Sequence, residues 1–169
     1  MRTHSPADAD IRVYTFKEGL LSTVAHDLQI RATRFEIVVD PNTAAVRGRI
    51  EAASLEVVCA MKDGREDPGT LSAGNKADIQ DNMRKEVLNS AKFLSILFES
   101  TRVTDTEVTG KLTLRGVTRE IRLSVRVEGD RRIGEARLDQ RDWGIKPYSA
   151  LLGALKIQPE VKIVVSLPL

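Results

Sequence analysis

Cysteine, histidine and aromatic residues are scarce in this chain, and each scarcity removes a class of protein. With one cysteine, Cys59, no intramolecular disulfide can form. Two histidines, His4 and His26, cannot build a His/Cys metal cluster even with that cysteine, so neither a metal nor a cofactor is expected. No apolar run is long enough for a transmembrane segment. The opening MRTHSPADADIRV lacks the apolar core of a secretion signal, so the expected location is the cytoplasm. Aromatic residues make up 4% of the 169 residues, so the interior must be mostly aliphatic.

Charged residues, at 30%, are plentiful, yet the net charge is only +2. With eleven glycines and six prolines this is a folded chain, and its length suits one domain spanning residues 1–169. Basic residues gather late in the chain, among them Arg115, Arg119, Arg122, Arg126, Arg131 and Arg132. Arg122 and Arg126 alternate with apolar residues and read as the solvated face of a strand. Without stacking aromatics or a nucleic-acid motif, no nucleic-acid partner is expected.

The stretch from Ile79 to Val127 organises the rest. Ile79, Met83 and Val87 fall four apart and Leu88 widens the stripe, which predicts a helix over Asn75–Asn89 with one buried face. Asn75 is its expected cap, and Asn89-Ser90 its end. The period then becomes two. Ile96 and Phe98 share a face, as do Val108, Leu112 and Leu114, and then Ile121, Leu123, Val125 and Val127. Arg115-Gly116 reverses the chain between the last two runs.

Earlier strands are expected over Ile11–Phe16, Leu28–Val39 and Val46–Val58. The second changes parity near Ala32–Arg34 and the third between Ala52 and Leu55, which are the bends that let long strands curl around a barrel. Cys59–Ser72 reads as a polar connection without strand character. Gly19-Leu20-Leu21 with Val24-Ala25 reads as a compact apolar turn, and Ala150–Leu155 as a core turn or a lip over a cavity. Ile133–Leu138 and Val161–Leu167 are the last strands. The result is an all-β domain with one main α-helix, its sheet closed or stacked to hide the inner faces.

Four segments then carry a resemblance. They are Val24-Ala25-His26-Asp27-Leu28, the passage ending Phe98-Glu99-Ser100, Thr109-Gly110-Lys111-Leu112-Thr113-Leu114-Arg115-Gly116-Val117-Thr118, and Arg141-Asp142-Trp143-Gly144-Ile145. In this order and spacing, from about Tyr14 to Leu167, the chain resembles the YceI-like lipid-binding proteins. The resemblance implies a closed, antiparallel, eight-stranded lipocalin-like barrel whose interior holds a polyisoprenoid or similar amphipathic chain. It also implies binding rather than catalysis.

The expected ligand contacts follow. Leu112, Leu114, Leu123 and Val125 lie on one parity of adjacent strands and should face the interior together. Phe35 and Phe98 are expected to join them, with Trp143 and Tyr148 toward one end. His26, Asp142 and Lys146 are the polar candidates for a head group. The partner is thus a hydrophobic small molecule, isoprenoid or fatty-acid-like, held for storage, transport or sequestration. Two alternatives stand beside it: an enzyme acting on such a lipid through His26 and Asp27, and an interaction module whose barrel core is filled. A homodimer stays among the open arrangements.

Overall fold

The computed structural model describes residues 1–18, 25–150 and 155–169. The expected apolar turn over 19–24 and most of the segment 150–155 lie outside them. The described residues form a curled antiparallel sheet with one α-helix. Its strands are β1 (Arg2–His4), β2 (Asp10–Lys17), β3 (Asp27–Ala32), β4 (Phe35–Val39), β5 (Val46–Glu51), β6 (Leu55–Lys62) and β7 (Arg65–Asp67). After helix α1 (Ala73–Asn82) come β8 (Ser95–Val103), β9 (Glu107–Leu114), β10 (Val117–Glu128), β11 (Arg131–Asp139), β12 (Ser149–Ala150) and β13 (Leu155–Pro168). Hydrogen bonding runs in the order β1-β4-β5-β8-β9-β10-β11-β13-β2-β3-β6-β7, and β12 pairs with β13.

This path is a half-barrel with ladder ends at β1 and β7, where eight strands in a closed ring were expected. The expected bends are the reason. The chain kinks at Thr33–Arg34 between β3 and β4, and a 3₁₀ turn at Ala52–Ser54 separates β5 from β6. One long hairpin therefore appears as four strands, with β3 on β6 and β4 on β5. The Thr33 N–H donates to the Ser54 carbonyl, and the Glu51 N–H to the Arg34 carbonyl, so the kinked backbone stays paired through the corner.

The connection expected over Cys59–Ser72 is instead partly strand. β6 continues to Lys62, and Asp63-Gly64, both at positive φ, returns the chain as β7. Asp-Gly with two left-handed residues is the favoured two-residue hairpin turn. β7 is held by Glu66, whose Oε1 accepts from the Gln29 Nε2–H at 3.1 Å, while Arg12 donates to the Gln29 side-chain Oε1. Gln29 is buried and fully engaged, and Cys59, opposite it in the ladder, is a buried free thiol.

The helix begins earlier and ends differently than its periodicity predicts. Ser72, not Asn75, is the cap: its Oγ accepts the Asn75 N–H while Asn75 Oδ1 accepts the Ser72 N–H, both at 3.1 Å. Asn75 thus completes a reciprocal capping box. After Asn82 the chain widens into a π-helical turn, Met83–Val87, closed by the Leu88 N–H on the Met83 carbonyl. Met83 and Leu88 are buried against β3, β4 and β6, with Ile79 and Val87 half-buried beside them. Gln80 Oε1 accepts the Val57 N–H at 2.9 Å, tying the helix to β6. No described helix is long and apolar enough to cross a membrane.

Candidate functional site

The inward rows of the curled sheet do not meet in the middle. They enclose a cavity of about 630 Å³, lined mainly by aliphatic side chains. Register explains the alignment: Leu123 faces Val108, Ile121 faces Gly110, and Phe98 faces Leu112, so alternating residues of neighbouring strands form continuous inner rows. β2 adds Ile11 and Val13, β3 adds Leu28 and Ile30, and the helical segment closes part of the wall with Ile79, Met83 and Val87.

Of the sequence-predicted residues, Phe98, Leu112, Leu114, Leu123, Val125, Trp143, Tyr148 and His26 stand on the cavity wall. Phe35, Asp142 and Lys146 stand off it. Phe35 follows the β3–β4 kink and is buried in the cluster containing Leu55 and Met83. Asp142 is exposed in a 3₁₀ turn, its carbonyl accepting from Arg119 Nε at 3.0 Å. Lys146 is exposed, just beyond Gly144 and Ile145. Val127, which continues the inner parity of β10, is 57% exposed because that strand runs on past the enclosed part.

Trp143 is placed by local chemistry. Asp139 accepts the Arg141 N–H and chelates its guanidinium, and that guanidinium holds the Asp139 carboxyl below its usual range. The turn Gln140–Trp143 then ends at Gly144, whose φ of 72° suits the left-handed cap. This turn buries the indole, and its Nε1–H donates to the Leu112 carbonyl at 3.0 Å. The tryptophan thereby closes the wall with its polar edge satisfied.

Polar residues on the wall sort by position. His26, Gln140 and Tyr148 lie where β3 starts and β11 ends, and Asn82 comes from the helix. Thr104, Asp105 and Arg132 lie at the opposite end, beside the β8–β9 and β10–β11 turns. Arg132 is the lone Lys or Arg on the described wall, and sequence reasoning missed it. The signal was present: Arg132, Gly134, Ala136 and Leu138 share one parity, but Gly134 hides the apolar pattern. Asp27, the suggested partner of His26, accepts the Lys17 N–H at 2.7 Å and so fastens β3 to β2. Among the described residues no group of three or more His, Cys, Asp or Glu could hold a metal.

A curled antiparallel sheet wrapped around an apolar lumen, with one helix against its wall, defines a ligand-cavity β-protein. The chain belongs to the YceI-like domain family, which it matches over residues 5–169. Similar solved structures include Burkholderia cenocepacia BcnA, at 16% identity and a TM-score of 0.59, with 94% of each chain covered. A polyisoprenoid binding domain from Saccharophagus degradans, implicated in plant cell wall breakdown, is similar at 12% identity and TM-score 0.59, covering 99% of this chain and 97% of that one. A mutant CJ YCEI protein with a monobromobimane guest is 13% identical, with TM-score 0.55 and coverage of 91% and 88%. These likenesses show the fold. No curated protein sequence matches the chain.

Proposed function

We propose that this protein binds one long-chain amphipathic lipid, polyisoprenoid or fatty-acid-like, inside the sheet and stores, carries or sequesters it. The observation that carries this reading is the continuous aliphatic lumen of about 630 Å³. A core packed by its own side chains leaves few voids larger than a water molecule, so a space of this size favours a ligand over the filled-core module. Family membership and the polyisoprenoid-binding neighbour support the same class of ligand. In this proposal the bent hairpin of β3–β6 joins the two branches of the ladder and closes the wall as a lipocalin-like barrel does.

The energetics suffice without catalytic machinery. Each buried methylene contributes about 0.8 kcal/mol, so ten give a gross term of about 8 kcal/mol before ordering costs. Asp27, the suggested partner of His26, is engaged by a backbone N–H, which favours a binder over an enzyme.

Organic extraction of the purified protein followed by mass spectrometry tests the proposal. A stoichiometric lipid is expected in the wild type and none in Leu114→Trp, which places an indole in the lumen while leaving the sheet folded. Wild-type protein that carries no lipid and takes up none from a mixed extract would overturn it.

A further inference from the structure

A chain held in this lumen must lie with its head toward one end, and the polar residues of the wall differ at the two ends. Among the described wall residues, the polar ones near the Trp143 end are His26, Gln140, Tyr148 and Thr15, with no Lys, Arg, Asp or Glu. Gln140 already donates to the Gln158 carbonyl at 3.2 Å. At the other end stand Arg132 and Asp105, both exposed to water. An ionised head group strongly resists leaving water, so it belongs where solvent and a countercharge are both present.

Arg132 is suited to be that countercharge. It closes the inward row Arg132-Gly134-Ala136-Leu138 on β11, opposite Val127 on β10 and Leu167 on β13. Its neighbour Arg131, of opposite parity, is committed to the Ser166 side chain and carbonyl and to the Asp8 carbonyl. Several arginines on the outer face, such as Arg34, Arg126, Arg137 and Arg141, have carboxylate partners. Arg132 has neither an ion pair nor a side-chain hydrogen bond among the described residues. From Arg132 to Leu138 the strand advances roughly 20 Å, so a long chain anchored at Arg132 extends toward Trp143.

We infer that the lumen takes a chain with an anionic head, carboxylate or phosphate, seated at Arg132 with its tail toward Trp143. This rests on the lipid-binding reading and adds the head-group charge and the direction of the chain. Asp105, on the same rim, opposes the anion, so the preference is the balance of the two residues. The guanidinium offers paired N–H donors that fit either oxyanion.

The test uses palmitic acid, hexadecyl phosphate and hexadecanol, titrated into the full chain at low salt. The acid and the phosphate are expected to bind about fivefold tighter than the alcohol. Arg132→Gln should bring the three ligands level without weakening hexadecanol, and Asp105→Asn should widen the preference. Inorganic phosphate should not displace hexadecanol, which separates an anchored head from a free-anion site. Direction is read from Trp143, the single tryptophan of the chain. A bromine on the terminal carbon of the acid should quench its fluorescence, and a bromine at carbon 2 should not. Tight hexadecanol binding with no anion preference, or quenching by the carbon-2 bromide alone, would overturn the inference and leave the lipid-binding reading intact. Failure of all three ligands to bind would overturn both.

Discussion

A methyl group added at position 110 would lie 2.5 Å from the Glu99 carbonyl oxygen and 2.5 Å from Phe98 Cζ. Gly110 is therefore what lets the Phe98 ring lie against β9, and so helps to keep the lumen open. Gly110→Ala should destabilise by about 1–3 kcal/mol, measured by urea unfolding, because both a ring and a backbone carbonyl must move. Thr15 makes the opposite case. Its Oγ1 is buried with no hydrogen-bond partner, in a row that lines the cavity between Val161 and Leu28. Thr15→Val removes an unpaired hydroxyl and should raise stability by about 1 kcal/mol. A fall in melting temperature would show that the hydroxyl has a partner. On the outer face, Arg126 bridges Glu128 and Glu135, and Arg122 lies near Glu107, all in exposed pairs. Changing both arginines to Gln should leave melting temperature and lipid content unchanged. Lost cargo would place that face at the site.

At the scale of elements, the helical segment is held by its end and by Met83 more than by an apolar stripe along its length. None of Ala73–Asn82 is fully buried, whereas Met83 at the start of the π turn is 9% exposed. Met83→Asp should cost about 3 kcal/mol by putting an unpaired carboxylate into the cluster around Leu55 and Leu88. Wild-type stability in that variant would show that the segment does not pack as described. The long strands and both kinks were readable in the sequence because parity slips record where a strand turns its face, whereas β1 and β12 are too short to show a period. The hairpin at Asp63-Gly64 was missed, because β6–β7 has little alternation and Cys59–Ser72 reads as a polar connection. The π turn left no comparable mark. The Ile79, Met83, Val87 spacing fits an unbroken α-helix, and only tertiary packing widens the last turn.

For the whole molecule, parity determines which side chains point inward but not whether opposite walls touch. That is why the inner rows follow from parity, whereas the lumen was expected only from the few aromatics and the family resemblance, and Arg132 at its end was missed. Asp142 and Lys146 stand off the wall for a related reason. A 3₁₀ turn and the left-handed Gly144 send Trp143 and Ile145 inward and leave the polar neighbours exposed, an alternation that sequence distance alone does not reveal. Charge distribution over the molecule adds a pH dependence. The Asp8, Asp40 and Asp139 carboxyls are held below their usual range, Asp8 and Asp40 chiefly by backbone N–H donors and Asp139 by Arg141. Their stabilisation is present above the unfolded carboxylate pKa and is lost as pH falls through the lower folded values.

Calorimetric titration with n-alkanols of increasing length tests whether the apolar lumen accepts a chain. Affinity is predicted to rise by up to about fourfold per added methylene, then level off when the lumen is full, with a negative heat-capacity change and little effect of His26→Ala. Affinity that does not depend on chain length, or no binding at any length, would contradict the account.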